Sequence, residues 1–136
     1  MERTLLIIKP DAVRANHVGD ILKIVTDNGF AIKATRMMRL TTDQAGRFYA
    51  VHKERPFYHD LVKFMTSGKI VPVALECENA VAKLREILGA TDSTKAAPGT
   101  IRNLFGTGLE QNASHGSDSV ENGKIETAFF FGEFEF

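Results

Sequence analysis

The chain has 136 residues, 43% hydrophobic and 25% charged, the balance of one ordinary globular domain. A chain of this length buries roughly two thirds of its unfolded surface, and the lone Cys77 excludes an internal disulfide and any CxxC metal or redox site. Seventeen basic residues balance seventeen acidic ones, which speaks against generic nucleic-acid binding through a positive field, and no apolar run reaches the roughly 18 residues of a membrane span.

Met1 to Lys9 holds only the short apolar run Leu5-Leu6-Ile7-Ile8 and no cleavage-site pattern, so a soluble, cytoplasmic chain without a secretory signal is expected. Thr4 to Ile8, bounded by Lys9-Pro10-Asp11, reads as a buried strand leading into a turn. Val18, Ile21, Leu22 and Val25 recur at helical spacing, with Gly29 after Asn28 as the stop. Phe30, Ile32 and Ala34 alternate and are followed by Met38 and Leu40, so a strand is predicted from Phe30 to Leu40. Thr41 and Gln44 stand at capping-box spacing and open a helix reaching about Val51. Pro56 starts another helical stretch, with Phe57, Leu61, Phe64 and Met65 on one side and Gly68 beyond its end. Ile70 to Leu75 reads as a strand in which Pro72 suits an edge or a bulge better than a ladder centre. Asn79 is placed as the cap of a helix bearing Val81, Leu84 and Leu88 and stopped by Gly89.

From Gly89 to Asp118 no periodicity is sustained, and Gly, Ser, Thr, Asn and Ala dominate. Loops that long inside a compact domain are usually functional or disordered. This one carries Thr91, Arg102, Asn112 and His115, so a functional loop is favoured. Ser119 to Phe131 is predicted helical, with Gly123 as its weak link. Five of the ten Phe residues fall between Phe129 and Phe136, either closing the core or meeting another subunit. With a short strand near Ala113 to His115, and setting aside the inserted helical hairpin, the order is βαββαβ: a ferredoxin-like α+β antiparallel sheet covered by helices, in a single domain spanning residues 1–136.

Zero net charge conceals an asymmetry. Residues 1–102 carry 16 basic and 11 acidic side chains, while residues 103–136 carry only Lys124 against six acids. The first part could gather an anion, although scattered surface charge gives the same sum and is favoured on this count alone. Neither a P-loop nor HExxH nor GxSxG occurs, and Gly106-Thr-Gly108-Leu-Glu-Gln111 fails as a dinucleotide fingerprint. What stands out is Asn112-Ala113-Ser114-His115-Gly116-Ser117-Asp118. A histidine among small residues can be approached by a bulky anion such as a phosphate. Histidine side chains ordinarily titrate near about 6.5, so a nucleophilic neutral imidazole is plentiful at neutral pH. Alone, such a histidine is more often a hydrogen-bonding residue than a catalyst. His17, His52 and His59 have less informative surroundings and receive no role.

Six segments in order change that balance: Glu2-Arg3-Thr4 with Lys9-Pro10-Asp11, Arg55-Pro56-Phe57, Thr66-Ser67-Gly68, Leu88-Gly89-Ala90-Thr91, Pro98-Gly99-Thr100-Ile101-Arg102, and Asn112 through Ser119. Over essentially its whole length the chain closely resembles the nucleoside diphosphate kinases, particularly their short bacterial form. The resemblance implies transfer of the γ-phosphate of a nucleoside triphosphate to a nucleoside diphosphate in two halves, with His115 as the nucleophile and ping-pong kinetics.

It also implies that Lys9, Arg55, Arg85 and Arg102, with the Thr91 hydroxyl, hold the phosphates, a task for which the planar guanidinium fork is suited. Glu126 matches the glutamate that hydrogen-bonds the other imidazole nitrogen, with Ser117 supporting it. Phe57 and Leu109 match the apolar pair that sandwiches the base without reading its hydrogen-bond pattern. Asn112 and Lys9 match contacts to the sugar hydroxyl, and Tyr49 a position close to the phosphates and the histidine. Mg2+ is the implied cofactor, held by the nucleotide phosphates and water with no protein cage; Asp118 could reach it only through water. A homo-oligomer, tetramer or hexamer, is implied as well, and the chain stops at Phe136 without the longer C-terminal extension of some relatives. Ala12 replaces a glycine common in relatives, which touches a turn and not the chemistry; Cys77 is expected to pack in the core.

Three other classes of protein fit the residues less well. An inactive nucleotide-binding module would have lost His115 or the arginines, and both are present. An RNA-binding domain on the same framework lacks its aromatic strand signature here. A phosphohistidine relay between proteins would have no use for Phe57 and Leu109.

Overall fold

The computed structural model describes all 136 residues. The first apolar run becomes β1 (Glu2–Ile8), in which Leu5 to Ile8 are completely buried. A run without alternation fits a strand covered on both faces. Leu6 and Ile8 enter one core and Leu5 and Ile7 the other. The remaining strands are β2 (Ala31–Thr35), β3 (Val71–Cys77) and β4 (Ser114–Gly116), in the order β2-β3-β1-β4 with every pair antiparallel. This is the expected ferredoxin-like α+β sheet.

Helices α1 (Pro10–Arg14), α2 (Val18–Asp27), α3 (Thr42–Phe48), α4 (Tyr58–Met65), α5 (Ala80–Leu88), α6 (Ile101–Phe105) and α7 (Val120–Phe130) complete the chain, with short 3-10 turns at Ala50–His52, Ser93–Lys95 and Glu133–Glu135. Ile21 and Val25 of α2, Leu84 and Leu88 of α5 and Ile101 of α6 cover one face of the sheet, and Cys77 packs among them. The inserted α3 and α4, with α7, cover the other through Ala45, Val62, Met65 and Phe130. Of the terminal phenylalanines, Phe130 and Phe131 close this second core, Phe136 lies under the Arg3 guanidinium at 3.9 Å, and Phe134 is fully exposed.

Several local expectations are corrected. Pro72 stands in an interior strand, opposite Ile7, and not at an edge. Its carbonyl accepts from the Arg36 N–H at 3.4 Å and the Thr35 hydroxyl at 3.0 Å. Its nitrogen faces the same side, where β2 has already ended, so the missing N–H breaks no ladder bond; the register shift falls in β2 itself, between Ile32 and Ala34. The strand predicted through Leu40 therefore stops at Thr35, and only the isolated bridge from Met38 to Ile70 continues it. Lys9-Pro10-Asp11 is not a simple turn, because Pro10 opens α1 at its first position. Helix α4 starts at Tyr58 and not at Pro56, and α3 ends at Phe48 before the 3-10 turn. The Thr41–Gln44 capping box forms reciprocally, at 3.1 and 2.9 Å.

Asn79 precedes α5 but makes no side-chain cap; its φ is +53°. The Glu2 carboxylate, delivered by β1, accepts the Val81 N–H at 2.9 Å instead. The long segment after Gly89 is not structureless, since Thr100 caps the short α6 within it. Gly123 is no weak link. A Cβ there would lie 2.5 Å from the Arg3 carbonyl oxygen, so glycine is what lets α7 lie directly on β1.

Candidate active site

Strand β4 pairs with β1 so that His115 lies opposite Ile7. Side chains alternate across a sheet, and a Cβ on Gly116 would meet Leu88 of α5 at 2.7 Å. His115 accordingly points the other way, to the face covered by α3 and α7. There its Nε2 meets Glu126 Oε1 of α7 at 2.8 Å. The same oxygen accepts the Ser117 hydroxyl at 2.8 Å, and Ser117 Oγ accepts the Leu5 N–H of β1 at 3.0 Å. An ionised carboxylate only accepts, so Nε2 carries the imidazole proton and the lone pair sits on Nδ1. His115 and Glu126 are each about one-fifth exposed, dry enough to strengthen the bond and open enough to admit a ligand.

The backbone before His115 is held tightly. Ala113 adopts φ +73°, a left-handed conformation costing an alanine about 1 kcal/mol. Its N–H donates to Asp11 Oδ2 at 3.1 Å and its carbonyl accepts the Lys9 N–H at 2.9 Å. The start of α1 thus clamps the turn that presents the histidine.

A cavity of about 270 Å³ opens beside the imidazole, and Lys9, Arg85, Thr91, Arg102, Asn112 and Tyr49 all line it. Lys9 Nζ donates to Asn112 Oδ1 at 2.8 Å, and Asn112 Nδ2 donates to the Thr91 carbonyl at 2.9 Å. Arg102 lines the cavity and donates to the carbonyls of Gly89 at 2.9 Å and Ser114 at 3.0 Å, while its buried Nε has no partner. Burial, then the neighbouring Arg102, lowers the Lys9 ammonium from 10.5 to about 8. Burial, then Arg85, lowers Arg102 to about 10. Asp11 and Glu110 offset part of the Lys9 shift but do not cancel it, so the wall stays suited to an anionic ligand. Burial, then the Glu126 charge, pushes the Tyr49 phenol upward, so its unpartnered hydroxyl remains a neutral donor.

Four residues expected at the site, Arg55, Phe57, Leu109 and Ser117, are not on the cavity wall. Arg55 is exposed, and Phe57 and Leu109 are 49% and 65% exposed. Phe57 reaches the wall indirectly, its ring 5.5 Å from that of His52, which does line the cavity. Ser117 is buried behind Glu126. The sequence reading missed His52 and Asn122. Asn122 lies four residues before Glu126 on α7, a spacing that would have put the two on one helix face, and it donates to Asp118 Oδ1 at 2.6 Å. It also missed Phe48, whose ring stands at 72° to that of His115 with centroids 5.8 Å apart. No group of three or more His, Cys, Asp or Glu side chains is placed so as to hold a metal ion.

An imidazole held on a carboxylate beside a cavity lined by Lys9, Arg85 and Arg102, at the edge of a ferredoxin-like sheet, marks an α+β protein suited to an anionic ligand. Comparison with known proteins narrows this. The family model described as "Nucleoside diphosphate kinase" matches residues 2–136. The nucleoside diphosphate kinases of Wolinella succinogenes and Nitratiruptor sp. are 57% and 56% identical, covering 96% and 99% of this chain and 96% and 98% of their own. Among solved structures, the Aquifex aeolicus nucleoside diphosphate kinase superposes with a TM-score of 0.97 at 48% identity, covering 99% of this chain and 98% of its own. The Halobacterium salinarum enzyme, in complex with CDP, has a TM-score of 0.94 at 38% identity and covers 98% and 90%. The chain belongs to the nucleoside diphosphate kinase family. No helix is long and apolar enough to cross a membrane.

Proposed function

We propose that the chain moves the γ-phosphate of a nucleoside triphosphate to a nucleoside diphosphate through a phosphohistidine on His115, by a ping-pong mechanism. The carrying observation is the Nε2–Glu126 hydrogen bond, which leaves the Nδ1 lone pair available beside Lys9, Arg85 and Arg102. In the first half, the Nδ1 lone pair forms a bond to the γ-phosphorus. The bond from that phosphorus to the β-bridging oxygen breaks, and the diphosphate leaves with the electron pair. The ring proton stays on Nε2, where the Glu126 carboxylate offsets the positive charge developing on the imidazole. Ser117 keeps that carboxylate aligned. The second nucleotide then reverses each step, so one site serves donor and acceptor.

Lys9, Arg55, Arg85, Arg102 and the Thr91 hydroxyl hold the non-bridging oxygens, and Tyr49 supplies a neutral donor near them. Lys9 and Asn112 contact the sugar hydroxyl. Phe57 and Leu109 enclose the base through apolar surface alone, which gives broad base and sugar tolerance; the CDP bound to the Halobacterium relative is in keeping with a pyrimidine being accepted. Mg2+ would be held by the nucleotide phosphates and water and would neutralise phosphate charge there; Asp118 could reach it only through water. The protein works in the cytoplasm as a homo-oligomer, a tetramer or a hexamer.

The test is to mix the purified chain with γ-labelled ATP and Mg2+ in the absence of acceptor, and then to add GDP. Acid-labile, base-stable label is expected on the wild type and not on His115→Ala, and it should leave as GTP. A folded protein that takes no label refutes the mechanism. Label that GDP cannot discharge refutes the nucleotide acceptor.

A further inference from the structure

Two constraints act on the imidazole: its backbone on β4 and the Nε2 bond to Glu126. A hydrogen bond at one ring atom fixes that atom but leaves the ring plane free to tilt about it, and the direction of the Nδ1 lone pair depends on that tilt. We propose that Phe48, at the last position of α3, is a positioning residue for the His115 ring. This rests on His115 being the phosphate acceptor.

Phe48 stands edge-on to the imidazole, at 72° with centroids 5.8 Å apart. Offset and edge-to-face packing of rings is directional, so it opposes tilting in a way that an aliphatic contact does not. Phe48 is itself immobilised. Tyr49 meets it at 84° and 4.9 Å, Phe129 at 69° and 5.2 Å, and Phe130 at 53° and 5.3 Å. Phe129 and Phe130 lie three and four residues beyond Glu126 on α7, one turn along the same helix. One ring therefore touches the imidazole and also packs on the helix that carries its hydrogen-bond acceptor. Phe48 ties α3 to α7 at the point where the His115–Glu126 distance is set. The adjacent Tyr49 lines the cavity, so the same helix end shapes the wall and steadies the nucleophile.

Near-attack geometry is sensitive to displacements of an ångström or less, so loosening the ring should slow phosphoryl transfer while Lys9, Arg85 and Arg102, which hold the phosphates, keep their places. The experiment compares wild type, Phe48→Leu, Phe48→Met and Phe48→Tyr, with the melting transition measured for each. Label from γ-labelled ATP with Mg2+ is followed by rapid quench at saturating ATP, and ADP affinity by equilibrium dialysis. The aliphatic variants should be labelled about tenfold more slowly, with ADP affinity within about twofold of wild type. Phe48→Tyr, which keeps the ring, should label at close to the wild-type rate. Two aliphatic variants are used so that one failing to fold leaves the other informative. Wild-type labelling rates in both aliphatic variants would overturn the proposal. So would a parallel loss of ADP affinity and rate, or a Phe48→Tyr variant as slow as Phe48→Leu, since either would make Phe48 a general packing residue. If the wild type itself takes no label, the phosphohistidine reading fails, and that outcome is distinct from all of these.

Discussion

Replacing Lys9 by Met should make the empty protein more stable and its nucleotide complex weaker. The ammonium is buried beside Arg102, and its titration is lowered from 10.5 to about 8, with Asp11 and Glu110 offsetting part of the shift. At about 1.4 kcal/mol per pH unit of displacement, keeping it charged at pH 7 costs the folded state about 3 kcal/mol. Met fills a similar volume without the charge. It leaves Asn112 Oδ1 without its 2.8 Å donor, a loss of about 1–2 kcal/mol. The net expectation is a gain of about 1–2 kcal/mol, or roughly 3–8 °C in melting temperature for a chain of this size.

The pH dependence has a definite sign. From about pH 8 to 10.5 the unfolded chain holds a proton on Lys9 that the folded chain has released, so wild-type stability gains relative to the variant as pH rises. Burial raises Cys77 and Tyr49, which act oppositely at alkaline pH but equally in both proteins, so the difference between the two isolates Lys9. Calorimetry without nucleotide between pH 7 and 9.5 reads this difference, and equilibrium dialysis at pH 7 should show nucleotide triphosphate binding weakened by about tenfold or more. A variant that melts below the wild type at pH 7, or a stability difference that does not shrink above pH 8, would refute the reasoning.

Three further outcomes are expected. Glu126→Ala should slow phosphoryl transfer about a hundredfold, because the imidazole loses the partner fixing its tautomer, while equilibrium dialysis finds ADP binding preserved; unchanged turnover would remove Glu126 from the mechanism. Gly123→Ala places a methyl 2.5 Å from the Arg3 carbonyl and should cost about 1–3 kcal/mol in urea unfolding while also lowering transfer, since α7 carries Glu126 away from β4. Glu2→Ala should cost about 1 kcal/mol by removing the remote cap of α5, whereas Asn79→Gly, at a φ of +53°, should leave chemical-denaturation stability within about 0.5 kcal/mol; the reverse ranking would restore Asn79 as the cap.

The features legible in the chain were those with short-range physics. The Thr41–Gln44 box spans three residues and formed as read, at 3.1 and 2.9 Å. The unbroken apolar run of β1 signalled burial on both faces, and the order of strands and helices gave the ferredoxin-like sheet. The family motifs pointed to His115 together with the cation set, of which Lys9, Arg85 and Arg102 do line one cavity. Where local rules misled, a distant partner had supplied what they lacked. Asn79 looked like a cap, but Glu2, 79 positions from the N–H it caps, takes that role. Pro72 looked like an edge, but β2 ends before its nitrogen would need a partner. Gly123 looked like a helix defect until the Arg3 carbonyl appeared beneath it.

The sequence by itself therefore determined the fold class, the family and the cast of charged residues, because periodicity, caps and motif order are properties of neighbouring residues. Only the tertiary structure decided how that cast meets. It brings Leu5 to Ser117 across 112 positions, sets Nε2 on Glu126, stands Phe48 against the imidazole, and leaves Phe57 and Leu109 outside the cavity wall. Those contacts depend on strand pairing and helix packing between segments far apart in the chain, where no local pattern carries the distance or the angle.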